Sequence, residues 1–212
     1  MAGTRLSALA PPTLPLPGEA YHRSYGDTLN NVLRLYFNRL NSTVNSVIGN
    51  EGGQFLSFPY GSFSDTTTQI AALINTPYGV KFDTTASSNS VVVDSGDTSQ
   101  LIVDETGLYN FQFSLQLKCA NANDKNIWIW ASVNGDDIDN SATRISLRGG
   151  SKEHVAAWNF FVPMDATDYF QLMWATDSTD VSIIAEAATA FCPAIPSAIM
   201  TANFVSTLPV SA

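Results

Sequence analysis

Histidine is nearly absent from this chain. There are two, His22 and His154, far apart in sequence and in regions of different composition. The two cysteines, Cys119 and Cys192, have no neighbours at metal-ligand spacing. A catalytic centre needs nucleophiles, bases or metals that converge. No Gly-x-Ser-x-Gly elbow, phosphate loop or His-Glu-x-x-His run is present. The expectation is a non-enzymatic protein without a cofactor. Basic residues are scarce too: ten Lys plus Arg stand against nineteen Asp plus Glu, for a net charge of −9. That argues against a nucleic-acid-binding surface and against docking on an anionic membrane. No stretch reaches the roughly 18 apolar residues of a membrane span. Met1 to Ala10 lacks the basic start and apolar run of a secretory leader, so synthesis in a cytoplasm is expected. Only 14% of residues are charged against 45% hydrophobic, and Ser, Thr, Asn and Gln make up the difference, as in all-β and assembly-forming proteins.

Four regions separate along the chain. In residues 1–23, Pro11, Pro12, Pro15 and Pro17 forbid a helix and favour an extended arm. Such an arm is either a disordered tail or a segment ordered against a partner. Residues 24–49 read as a helix, with Ser24 or Asp27 as cap and Gly49 as stop. Leu29, Leu33, Tyr36, Leu40 and Val47 recur at steps of four and three, with Thr43 in the missing place. Val32, Leu35, Phe37, Val44 and Ile48 widen that stripe beyond a two-stranded seam. No second long helix is legible to cover it, so copies of the chain are the simplest partner, in a short bundle about an oligomer axis. Residues 50–77 form a Gly- and aromatic-rich connector whose Phe55, Phe58, Tyr60 and Phe63 are too many for a solvated linker.

From Tyr78 the pattern is β. Strands are expected at 78–82, 89–93, 99–103, 108–119, 126–133, 142–147, 154–162, 168–176, 180–187 and 198–206, with turn chemistry between them. Asn134-Gly135 is the strongest hairpin signal. Tyr109, Phe111, Phe113, Leu115 and Leu117 alternate with Asn110, Gln112, Ser114 and Gln116, which marks one dry face and one wet face. Cys119 continues the dry face, where a buried thiol is expected. Three other strands are apolar on both faces. They carry Trp128 and Trp130 against Ile127 and Ile129, Trp158 and Phe160 against Val155 and Phe161, and Trp174 and Phe170 against Tyr169 and Met173. Such strands imply a subunit interface, for which Trp128, Trp130, Trp158, Phe160 and Trp174 are the candidates. An aromatic carbohydrate shelf is the alternative for Trp128 and Trp130. The acidic run at Asp136, Asp137 and Asp139 offers oxygens for calcium but lacks the spacing and bidentate Glu of an EF-hand, so a hydrated hairpin loop is the better reading.

Gly107, Tyr109 and Phe111, the Asn134-Gly135 hairpin, Asp168 to Leu172 and the closing strand Ile199 to Val205 with Phe204 resemble the jelly-roll domain shared by the complement globular head and the tumour necrosis factor family. The front of the chain is similar to virion proteins of tailed phages, especially marine ones. The residues concerned are Tyr21 to Tyr25, Leu29 to Asn38, Pro59 to Asp65, Gln69 to Tyr78 and, near the end, Pro196 to Thr201. The resemblance implies a mainly β, homotrimeric protein: arm, helix, then a ten-strand antiparallel jelly-roll sandwich over 78–212. It implies a virion structural protein that projects as a trimeric knob, with other virion proteins as partners. A tail-associated fibre protein that binds a host receptor or glycan is the alternative.

Overall fold

A computed structural model describes residues 11–20, 22–48, 57–148 and 152–208. The chain divides into two compact units, Met1–Ser57 and Phe58–Ala212. In the first, Pro11, Pro12, Pro15 and Pro17 lie in backbone without regular structure, and Leu16 is 90% exposed. Helix α1 runs Arg23–Ile48. Ser24 and Asp27 do not cap it. Both lie within its first turns, and the Tyr25 N–H donates to the His22 carbonyl at 3.0 Å instead. The Ser24 carbonyl accepts from Thr28 Oγ1, while Asp27 faces Arg23 at 3.9 Å. Gly49 lies outside the described residues. α1 is the one helix among the described residues, so the expected bundle is not formed within them.

The second unit contains fourteen strands among the described residues rather than ten. In chain order they are β1 (Tyr60–Asp65), β2 (Gln69–Ile70), β3 (Tyr78–Gly79), β4 (Thr84–Asn89), β5 (Val91–Val93), β6 (Leu101–Val103) and β7 (Gly107–Cys119). There follow β8 (Lys125–Val133), β9 (Asp136–Asp137), β10 (Thr143–Leu147), β11 (Lys152–Met164), β12 (Tyr169–Thr176), β13 (Val181–Ile183) and β14 (Ala198–Ser206). The sheet therefore begins inside the expected connector. β1 has the alternation of a strand, with Phe63 1% exposed, but its polar positions are Ser and its length is six, so it reads as a loop. Phe55 lies outside the described residues, whereas Phe58 stacks on Phe204.

Two antiparallel sheets result. In the first, β7 has β11 along its whole outer edge. β14 and β13 lie end to end on its other edge, and β1 and β4 continue beyond β14. In the second the order is β10, β8, β12, β6, β5, with β9 on β8 and β3 on β12. The chain crosses between sheets at β2 to β3, β3 to β4, β4 to β5, β6 to β7, β7 to β8, β10 to β11, β11 to β12 and β12 to β13, which is the winding of a jelly-roll sandwich. Asn134 (φ 53°) and Gly135 (φ 85°) make the turn between β8 and β9, as a type I′ hairpin requires.

The core is the meeting of alternate side chains from both sheets. Phe111 of β7 and Phe170 of β12 stack with centroids 4.0 Å apart and planes 5° apart. Tyr109 is fully buried and donates its hydroxyl to the Glu105 carbonyl at 2.7 Å. Burial, then the nearby Glu105 and Asp104 charges, push its phenol up to about 12. Gly107 has no room for a side chain, because the Phe204 ring lies where a Cβ would stand. Cys119 is buried and free, and Cys192 is free and half-buried.

Candidate functional site

The described residues do not bring catalytic groups together. His154 is exposed near the start of β11, and His22 precedes α1 in the other unit. Among the described residues no group of three or more His, Cys, Asp or Glu is placed to hold a metal ion. Asp136, Asp137 and Asp139 are exposed around the β8–β9 hairpin, and one Asp137 oxygen accepts the Trp130 indole N–H at 2.6 Å. What the sandwich presents instead is two broad outer faces.

The outer face of the first sheet can be followed row by row. Phe161, Asn110, Asn203, Tyr60 and Asn89 lie in register across β11, β7, β14, β1 and β4. The next row is Asn159, Gln112, Thr201, Ser62 and Ser87, and the third is Ala157, Ser114, Ile199, Ser64 and Thr84. No charged residue occurs in any of these rows. Val155 (53% exposed), Phe161 (60%), Ile199 (40%) and Val205 (48%) stand on this face. Asn159 donates to Asn110 Oδ1 at 3.0 Å, so part of its amide capacity is already spent within the face. An ion pair, Lys118 with Glu153 at 2.8 Å, closes one end.

The outer face of the second sheet is different. Trp128 is in register with Arg144 on one side and Ala175 on the other, and Trp130 with Met173. Both indoles are half-buried. Around them Asn126 donates to Asp177 at 2.7 Å and accepts from Ser146 at 2.7 Å, and Gln171 donates to Ser99 at 2.7 Å. The shelf is aromatic in the middle and polar at its rim.

The five aromatic interface candidates do not share a surface. Trp174 is 1% exposed and belongs to the core, so it presents no interface, because its neighbour strands cover it on the inner side. Trp158 and Phe160 also face inward, half-buried against Phe113 with centroids 4.5 and 6.0 Å away. Trp128 and Trp130 face outward on the second sheet. The residues that reasoning from bulk missed are Val155, Phe161 and Ile199. Their signal lay in the partner strand: the run Asn110, Gln112, Ser114 and Gln116 is polar but uncharged. On α1, the stripe residues Leu29, Leu33, Tyr36 and Leu40 are half-buried, whereas Val47 is 40% exposed. Leu35 (49%), Phe37 (57%) and Val44 (40%) are exposed as well.

Fold and surfaces together define a class: an antiparallel jelly-roll sandwich preceded by a separate helix, with apolar and aromatic surface on its faces. No protein-family model and no curated protein matches the chain. Among solved structures, the globular domain of zebrafish complement 1qA protein is similar over 71% of this chain and 99% of that one, at 11% identity and a TM-score of 0.43.

Proposed function

We propose that the protein is a non-enzymatic, homotrimeric structural protein of a tailed-phage virion, a projecting knob held by its N-terminal arm. The observation that carries the self-association is the three charge-free rows on the outer face of the first sheet. In a chain with 29 Asp, Glu, Lys and Arg residues, three successive rows five strands wide without one of them are built to lose water. Desolvating an ion costs several kcal/mol, whereas Ser, Thr, Asn and Gln can exchange water for one another. Depletion of charge is the compositional mark of an interface core. The exposed Leu35, Phe37, Val44 and Val47 on α1 support the same reading, because a helix apolar this far round needs cover. The virion assignment and the trimeric number rest on the resemblance of the front of the chain and of its closing segment.

Light scattering tests the assembly and should return about three times the 22.8 kDa chain mass. A stable monomer overturns it. Replacing Leu33 and Leu40 with Asp should lower that mass, and an unchanged value removes the helix from the axis. Copy number per purified particle then separates the positions: hundreds mean head decoration, a few dozen or fewer mean tail. The second reading, a receptor- or glycan-binding fibre protein, is favoured by Trp128 and Trp130, whose indoles lie outward within a rim of amide, hydroxyl and carboxylate groups.

A further inference from the structure

β13 and β14 lie end to end along β7, and residues 185–196 leave the first sheet in the gap between them. Both ends of this excursion are held by one residue. The Ile184 N–H donates to the Gln116 carbonyl at 2.8 Å, and the Gln116 N–H donates to the Ser197 carbonyl at 2.9 Å. Glu186 and Ile195 then pair through two backbone hydrogen bonds, both of 2.9 Å. At the tip the Thr189 N–H donates to the Cys192 carbonyl at 2.9 Å, and the Cys192 N–H donates to Thr189 Oγ1 at 3.1 Å. The segment is a finger with a fixed base and a closed tip.

Its surface is apolar almost throughout. Glu186, at the base, is its one charged residue, and residues 187–196 carry no charge. Phe191 near the tip is 91% exposed, with Ala187, Ala188, Ala190, Pro193 and Ala194 exposed beside it in the chain. A run of exposed apolar surface marks a site of association, whereas a lone exposed Phe would not. At that exposure the Phe191 ring adds almost nothing to the packing of its own sandwich.

The root of the finger lies among the rows of the first outer face. On one side of the gap is the row Glu153, Lys118, Ser182 and Ile70, and on the other the charge-free row that includes Ala157, Ser114 and Ile199. Val155 is in register with Gln116, in the row of the gap itself. Lys118 stands on this outer face, and its ammonium is held above the ordinary range by Glu153 first and also by the charge of Glu186. The base of the finger therefore sits beside the face. A surface that covers Val155 and Ile199 meets the finger as well.

We propose that residues 185–196 are a clasp between copies of this chain, the finger of one copy burying Phe191 against the first-sheet face of the next. The clasp rests on the self-association proposed above and names the segment that crosses from copy to copy. A second copy is the occupant because the finger grows out of the rows that self-association buries. It also shares their chemistry: apolar side chains, small residues and no charge beyond its base. Its fixed base and closed tip present Phe191 already in place, which lowers the ordering cost of association.

The test uses the full chain in two measurements. Benzoylphenylalanine placed at position 191 and irradiated should give covalent dimers and trimers on a denaturing gel, with the joined peptides in β7, β11 or β14. Phe191→Ser, a change at an exposed side chain, should speed subunit exchange between tagged and untagged assemblies about tenfold or more, because losing a buried aromatic anchor acts mainly on dissociation. Light scattering on the parent separates the two readings. A parent mass of one chain overturns self-association and clasp together. A parent mass of three chains with products confined to single chains, or with an unchanged exchange rate in Phe191→Ser, overturns the clasp and leaves the self-association standing.

Discussion

The two outer faces of the sandwich grow from the same alternation, yet they carry opposite surfaces. On the first sheet, three successive rows across five strands hold no charge, and the apolar members Val155, Phe161 and Ile199 stand exposed among amides and hydroxyls. On the second sheet, Trp128 and Trp130 are the largest outward groups, but Arg144, Asp137 and Asp177 surround them. Aromatic bulk draws the eye to the second face. Absence of charge marks the first as the one fit for burial against another copy, since an ion buried without a partner outweighs several buried methyl groups. Bulk and burial are separate properties, and here they fall on different sheets.

The largest expected effect breaks the comparison directly. Val155→Asp together with Phe161→Asp places two charges on the first face, and the mass by light scattering should fall from about three chains to one. An unchanged mass would mean that this face is not the interface. Next in size is a change beneath both faces. Because the folded phenol of Tyr109 is raised from 10.0 to about 12, its stabilisation is complete below pH 10 and is lost as pH climbs towards 12. About two pH units correspond to about 2–3 kcal/mol. Tyr109→Phe should therefore resist alkaline unfolding better than the parent in urea titrations at pH 9 and 12; a parallel loss in both would refute burial as the cause.

Smaller effects sharpen the contrast. Trp128→Ala on the second face should leave the mass at about three chains and cost about 1 kcal/mol or less in urea unfolding. A collapse of the trimer would move the interface to that sheet. The smallest effect is at the acid end. Burial pulls the Asp83 and Asp97 carboxyls up, but hydrogen bonds outweigh it, from Thr66 and Thr84 to Asp83 and from Ser99 and Gln100 to Asp97, so both end below the ordinary 3.8. Carboxyls held low stabilise above the ordinary value, and that contribution fades as pH falls below it. Asp83→Asn should flatten the acid limb slightly without altering the contrast between faces.

Much of the fold was legible where periodicity was strong. β7 alternates over its whole length, and the stretch expected at 108–119 is the strand Gly107–Cys119. Helix 24–49 is Arg23–Ile48, for the same reason of sustained period. β1, β2, β4 and β9 were not legible. β2 and β9 are two residues long, and β4, Thr84–Asn89, has hardly a hydrophobic side chain with which to show an alternation. The orientation of β11 was not legible either. Both its faces are apolar, and nothing local says that Trp158 and Phe160 turn inward while Val155 and Phe161 turn outward. That orientation is set by the register with β7, where Phe160 stands opposite Phe111 and Phe161 opposite Asn110.

By itself the sequence determined the β character of residues 78–212, the helix before it, the hairpin at Asn134-Gly135 and the poverty of catalytic and metal-binding groups. Each of these depends on local chemistry: a period of two, a period near four, a turn that needs positive φ, a residue type that is missing. Only the tertiary structure decided which side of a doubly apolar strand is core, that residues 60–65 join the first sheet between β14 and β4, and that Trp174 has a donor without an acceptor. Those facts depend on which strand lies opposite which, and pairing between strands far apart in the chain is set by the packing of the whole sandwich.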